Sequence, residues 1–466
     1  MMNIRPKPRR DASSFPLALI AAGVLLGTAC DTNKLLQVTD PAVATPESLA
    51  NPAALPTLYA GAIGDFQYAY SGNSDGNNEG IVTTTGVMTD ELRNTDTFTT
   101  RIATDQRTQF PVQNGNTSDQ AYANIQRARH STMVTGAALA AVLPKDPRIA
   151  VMNSLEGASY VALGENFCGY IPFSDVVGGV TEFGDPLTSA LVFAEAIKRF
   201  DSAIAVDATN NLPKVLKGRA LLDNGDAAGA ATAVASVPDN FVFMVEHSDN
   251  TGRQYNPMFS LAASNGRYSV ADKEGGNGLP FMSQGDPRIP FNAQGTGFDK
   301  STPLFGDLRY PVYGSPMPLA TGVEARLIEA EAFLKTGDVT NWLAKLNGLR
   351  ASFPTLVVKL QPDWANQIAK SPIAARTLAP LTDPGTADGR LMLTFSERAF
   401  WLYTTGHRLG DLRRLMRQYG KAQDAVFPTG VFFKSGNYGS DVAFPVPYNE
   451  QQNPKYHPEQ CDVKKP

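Results

Sequence analysis

From Leu55 the apolar positions fall at Leu55, Leu58, Tyr59, Ala62, Ile63 and Phe66, which is one face of an amphipathic helix. The same spacing returns around Tyr122, with Ile125 and Arg129. It returns again from about Pro147 to Phe167, through Ile149, Met152, Leu155, Tyr160 and Leu163. Asp185-Pro186-Leu187-Thr188 then opens a further helix, with Thr188 as N-cap and Phe193, Ala196, Ile197, Phe200 and Ile204 on its buried face. Two later stretches echo each other. Gly218-Arg219-Ala220-Leu221-Leu222 runs into Gly225-Asp226 and an Ala-rich helix through Val234. Ala330-Glu331-Ala332-Phe333-Leu334 runs into Gly337-Asp338 and then Trp342 to Leu349. In both, glycine would stop one helix at positive φ and aspartate would cap the next.

Between these helices the pattern changes. Residues 71–80 (SGNSDGNNEG) read as a Gly/Asn loop. Residues 238–320 are rich in Gly, Pro, Asn and aromatics, show no helical period, and read as loops with short strands. A helix is predicted over 394–418, and 427–466 is Pro/Gly/aromatic coil. The helix–Gly-Asp–helix unit resembles tetratricopeptide hairpins, whose faces are buried by neighbouring hairpins. The expected fold is mostly α: irregular tetratricopeptide-like hairpins with a loop-rich cap and few short strands, one domain over 51–466.

The N-terminus supplies an address. Residues 1–14 carry Arg5, Lys7, Arg9 and Arg10, an apolar run follows from Phe15 to Leu26, and Gly27-Thr28-Ala29-Cys30 closes it. These are the parts of a secretory signal, and the run is shorter than the roughly 20 residues of a membrane-spanning helix. Small residues before Cys30 resemble a bacterial lipobox. That implies a signal peptide over 1–29, an acylated Cys30, and a polar tether over 30–50. Of the chain's three cysteines, Cys168 and Cys461 are then left in an oxidising compartment, where they are candidates to pair. Sequence alone does not show that they meet; the expected Cys168–Cys461 bond would pin the C-terminal tail to the third helix.

Composition removes several function classes. With 45 acidic and 41 basic residues the net charge is −4, without the basic footprint of a nucleic-acid binder. His130, His247, His407 and His457 lie far apart, outside any zinc spacing. Gly72-Asn73-Ser74-Asp75-Gly76 spells G-x-S-x-G, but a helix precedes it and a loop follows, the wrong setting for a nucleophile elbow. Asp90-Glu91 reads as a solvated helix start or loop. There is no P-loop, dinucleotide fingerprint or H-E-x-x-H. The chain is expected to be no enzyme, with no cofactor and no metal.

Ser396-Glu397-Arg398-Ala399-Phe400-Trp401 continues into Gly406-His407-Arg408-Leu409-Gly410-Asp411-Leu412-Arg413-Arg414. This resembles the "E-R … E-G-x-R-x-x-D-L-x-R" helix of the SusD/RagB family of outer-membrane nutrient-uptake lipoproteins, with Thr405 where many members carry Glu. Arg326-Leu327-Ile328-Glu329-Ala330-Glu331-Ala332, Gly337-Asp338 and Leu346-Asn347-Gly348-Leu349-Arg350 are similar to its "R-L-x-x-A-E-A … G-D … I-N-x-x-R". Asp286-Pro287-Arg288 stands where the family often has D-P-R. Phe444-Pro445-Val446-Pro447, Glu450 and Asn453-Pro454 are similar to its C-terminal "F-P-I-P-x-x-E-x-x-x-N-P". On the helical spacing, Phe400, Tyr403 and His407 share a face that Asp411 and Arg414 continue. Glu397, Arg398, Arg408 and Asp411 offer ion pairs that fix architecture.

The resemblance implies a lipid-anchored protein on the outer membrane, facing outward. It also implies a SusC-like TonB-dependent barrel as partner. The work would be capture of an oligosaccharide or peptide and its delivery to that barrel. Two other classes are a tetratricopeptide-type envelope scaffold without small-ligand capture and a secreted hydrolase using Ser74. Aromatic rings and planar polar side chains suit sugars. Two loop regions supply them: Tyr68, Tyr70, Asn73, Asn77 and Asn78 leading to Arg93 and Phe98, and Tyr255, Asn256, Phe259, Asn265, Arg267 and Tyr268. The two are expected to converge on one exposed concave surface.

Overall fold

The computed structural model describes residues 51–73, 79–110, 115–177, 180–368 and 377–466. The signal segment, the tether with Cys30, and Ser74, Asn77 and Asn78 lie outside them. In chain order α1 (Leu55–Ser71), α2 (Ile81–Met88), the short strand β1 (Leu92–Asn94) and α3 (Thr99–Gln106) lead to α4 (Thr117–Val142) and α5 (Arg148–Asn166). A hairpin of β2 (Asp175–Val177) and β3 (Val180–Glu182) precedes α6 (Ser189–Val206), α7 (Asn211–Asp223) and α8 (Ala227–Val234). The central insertion holds β4 (Val242–Val245), β5 (Tyr268–Val270), β6 (Phe291–Thr296), β7 (Pro303–Asp307) and β8 (Met317–Thr321). Then come α9 (Gly322–Thr336), α10 (Val339–Ala351), α11 (Phe353–Leu360), α12 (Pro362–Ile368), α13 (Ala387–Trp401) and α14 (Arg408–Tyr419).

Helices pack on their neighbours: α1 on α4, α4 on α5, α5 on α6, α6 on α7, α7 on α8, α8 on α9 and α9 on α10. The caps behave as the residues dictate. Thr188 accepts from the Leu191 N–H. Gly225 and Gly337 take φ of 92° and 77°, and Asp226 and Asp338 cap α8 and α10. Gly218 lets α7 and α8 approach, since a Cβ there would come within 2.4 Å of Val234. The strands of the insertion pair only in twos, β4 with β8 and β6 with β7. No helix among the described residues is long and apolar enough to cross a membrane.

The helix read over 394–418 is in fact two, α13 and α14, separated by a turn. Thr404 and Gly406 there have φ of 47° and 75°. Groups distant in sequence impose the break: the Thr404 N–H is donated to Glu91 Oε1 at 2.9 Å, and Arg309 Nη1 donates to the Tyr403 carbonyl at 2.7 Å. The shared face of Phe400, Tyr403 and His407 therefore does not exist as helical geometry. Thr405 and His407 bond each other inside the turn, Oγ1 to Nδ1 at 2.8 Å.

The recognised motifs meet in a buried ionic lattice. Arg398 forks onto Asp411 at 2.8 and 2.9 Å. Arg414 reaches Glu331, Asp223 and Asp411. Glu397 takes Arg288 at 2.8 Å and Arg350 at 2.6 Å. Arg408 forks onto Asp90 at 2.6 and 2.8 Å. The D-P-R arginine, the A-E-A glutamate and the arginine of Leu346–Arg350 are thus partners of the α13–α14 charges, with packing as their common purpose.

Asp90 and Glu91, expected in solvent, are fully buried. Arg408 neutralises Asp90. Burial pushes the Glu91 carboxyl up to about 8, and the Thr404 N–H and Arg408 offset this in part. The C-terminal coil is tied to the end of α5: the Phe444 N–H is donated to the Asn166 carbonyl and the Cys168 N–H to the Phe444 carbonyl, both at 2.8 Å. Cys168 and Cys461 form a disulfide with a Cα–Cα distance of 5.1 Å.

Candidate ligand-binding surface

β1 pairs antiparallel with β5, Arg93 opposite Ser269 and Asn94 opposite Tyr268, which joins the early loop to the central insertion. The seam continues beyond the strands. The Thr95 N–H is donated to the Arg267 carbonyl at 2.9 Å, the Phe298 N–H to the Gly266 carbonyl at 2.7 Å, and the Asp299 N–H to the Thr95 carbonyl at 2.9 Å. Gly297 is needed for this approach, because a Cβ would lie 2.3 Å from that of Thr95.

Two aromatic rings emerge from the seam. Phe98 is 42% exposed and Phe298 41%. The Arg267 guanidinium lies within reach of both, 5.3 Å from the Phe98 centroid and 4.1 Å from that of Phe298. Arg101 sits 4.8 Å from the Phe98 centroid. The fixed point beneath is Asp96, which accepts Arg267 Nη1 at 2.6 Å and also bonds Arg101. Burial alone would raise the Asp96 carboxyl; the hydrogen bonds from Arg267 and Arg101 outweigh it and hold it below the usual range. Beside the rings runs a groove of about 660 Å³ whose lining includes Arg93, Asp96, Thr97, Asp299, Phe433 and Lys434. Phe433 lies 4.7 Å beneath the Arg93 guanidinium. Among the described residues no group of His, Cys, Asp or Glu is placed to hold a metal ion.

The other residues singled out from sequence fall elsewhere. Tyr70 is 7% exposed and donates its hydroxyl to the Pro318 and Thr405 carbonyls, both at 2.9 Å, so it is a core residue. Tyr268 is 2% exposed and donates to Glu79 at 3.0 Å. Neither ring can stack on a ligand, because each is covered and anchored at its polar end. Tyr68 is buried beneath Arg253, whose guanidinium lies 4.6 Å from its centroid. Tyr255 is half-buried against Tyr313 at 4.2 Å. Asn73 and Asn256 are buried, and Asn77 lies outside the described residues. Arg93, Phe98 and Arg267 are the candidates that the structure brings to one surface. Phe298, Phe433 and Lys434 were missed. An aromatic flanked by glycine in an irregular segment, as in Gly297-Phe298, was the available signal.

The helical fold recurs in solved structures. A SusD-like carbohydrate-binding protein from Bacteroides vulgatus ATCC 8482 is 14% identical, with 77% of this chain and 82% of that one covered and a TM-score of 0.55. NanU of B. fragilis is 13% identical, with 90% and 98% covered and a TM-score of 0.58. This chain has the SusD-like fold. A SusD/RagB family protein of Bacteroides thetaiotaomicron shows the same SusD-like fold at 12% identity, 78% and 88% coverage and a TM-score of 0.53. No family model and no curated protein matches the chain. Within the SusD-like fold, α13 and α14 are scaffold and the seam of β1 with β5 carries the exposed rings.

Proposed function

We propose that the chain is a SusD/RagB family lipoprotein that captures an oligosaccharide at the Phe98–Arg267–Phe298 surface and delivers it to a TonB-dependent outer-membrane transporter. The observation that carries this reading is the pair of exposed rings around one anchored arginine, on a SusD-like fold. Sugar rings present flat apolar faces to aromatics and hydroxyls to guanidinium and carboxylate groups. The SusD-like fold of a carbohydrate-binding protein supports the choice of ligand.

Binding of a panel of oligosaccharides, followed by calorimetry, tests the site. A stacking ring contributes about 0.5–1.5 kcal/mol beyond its buried area, so Phe98→Ala and Phe298→Ala should each weaken binding about 2- to 10-fold. Wild-type protein that ignores every glycan, or two variants that bind as wild type does, would remove the proposal.

The anchor is tested separately. Cys30→Ala should move the protein from the membrane fraction to the soluble one and abolish labelling by a fatty acid. Soluble, unlabelled wild-type protein would show that Cys30 is not acylated.

A further inference from the structure

The cations at the rings and the groove are paired with carboxylates. Arg267 and Arg101 share Asp96, and Arg101 also bonds Glu79. Arg93 bonds Glu274. Lys434 Nζ lies 2.5 Å from Asp299 Oδ2 and donates to the Asp96 carbonyl at 2.6 Å. The carboxylates are also fixed by the backbone. Asp96 accepts from the Thr97 N–H at 2.6 Å. Asp299 accepts from the Ser301 and Thr302 N–H groups at 2.9 and 2.8 Å and from the Thr302 hydroxyl at 2.6 Å. One further carboxyl, Asp105, takes the Asn94 N–H at 2.7 Å. It is buried and does not line the groove. Lys300, in the turn after Asp299, is exposed and does not line the groove.

Arg93, Arg101, Arg267 and Lys434 thus stand against Glu79, Asp96, Glu274 and Asp299. A balanced set presents little net field to an incoming ligand, whereas attraction of an anionic chain needs surplus cation. We infer that Asp96 and Asp299 are specificity residues: by cancelling Arg267 and Lys434 they suit the surface to neutral oligosaccharides and deny it an affinity for acidic ones. This rests on the glycan reading above.

The test compares neutral malto-, cello-, xylo- and manno-oligosaccharides with oligogalacturonate, on wild type and on Asp299→Asn. Asparagine keeps the acceptor for the Ser301 and Thr302 N–H groups and releases the charge of Lys434. Wild type should prefer a neutral oligosaccharide and bind oligogalacturonate weakly, without salt dependence. In Asp299→Asn the ratio of acidic to neutral affinity should rise about five-fold at about 20 mM salt, and the gain should fade at about 200 mM. Wild type that prefers oligogalacturonate overturns the inference and leaves the glycan reading standing. An unchanged ratio in the variant also overturns it. Failure of every glycan to bind removes the glycan reading itself. The wild-type comparison decides the matter even if the variant does not fold.

Discussion

Replacing Arg414 with leucine should remove about 3–5 kcal/mol of folding stability. Its guanidinium is buried and joins three helices. Nη1 donates to Asp223 of α7 at 2.7 Å, Nε and Nη2 to Glu331 of α9 at 3.0 Å each, and Nη2 to Asp411 of α14 at 2.8 Å. Asp411 keeps Arg398 when Arg414 goes, and Glu331 keeps the Tyr419 hydroxyl at 2.8 Å. Asp223 loses its closest cation. The cost is that of charge left in a dry interior, which exceeds the net worth of the intact pairs. Lysine should rescue poorly, because a single ammonium cannot fork onto Glu331 while reaching Asp223. Lys198→Ala, at an exposed pair with Glu195, is the control and should change stability by less than about 1 kcal/mol. Denaturant midpoints measure both. Equal losses in the two variants would show that the lattice does not hold the helices together.

The second large effect depends on pH. Stability should decline between about pH 5 and about pH 8, and the part due to Glu91 should vanish in Glu91→Gln. In the folded protein the Glu91 carboxyl is pushed up to about 8, above the ordinary glutamate value of 4.5, chiefly by burial. Between those values the folded chain binds a proton that the unfolded chain has released. Stability from this group is therefore complete below the unfolded value and is lost as pH rises through the folded one. The slope is about 1.4 kcal/mol per pH unit, so about 3–4 kcal/mol is at stake over the window. Oε1 accepts the Thr404 N–H, and Oε2 has no hydrogen-bond partner among the described residues. Glutamine keeps the first contact and has no proton to lose. Parallel stability curves for wild type and variant would show that Glu91 is ionised throughout, held by Arg309 and Arg408.

The paired helices could be read from the chain because each carries its own evidence: a face at helical spacing, a glycine to end it, an aspartate or threonine to start the next. α2 carried none. Its sequence, IVTTTGVM, is buried on all sides and so shows no amphipathic period. Its threonines return their hydroxyls to the helix carbonyls, Thr84 to Gly80 at 2.8 Å and Thr85 to Ile81 at 2.7 Å. The break between α13 and α14 was illegible for a related reason. Glu91 and Arg309 enforce it from far along the chain. Asp90 looked solvated because its partner, Arg408, lies 318 residues away.

The same limit divides the site. Loop composition pointed to Phe98, Arg93 and Arg267, but composition does not separate an exposed ring from a buried tyrosine. What distinguishes Tyr70 is a pair of carbonyls at Pro318 and Thr405, and these reach it only in the folded chain. Phe433 comes from a C-terminal coil that no local signal connects to β1.

The bond between Cys168 and Cys461 gives the molecule a topology of tail and ring. Everything from α6 to the end of the insertion and on through α14 lies on the ring. Everything before Cys168, with Phe98 among it, lies on the tail. Phe98 and Phe298 therefore lie on opposite sides of a covalent division. A protease that nicks the ring opens it but frees no fragment, and both rings stay on one molecule. A nick in the tail between Phe98 and Cys168 severs the chain path between them, and only the packing of the seam then holds the surface together.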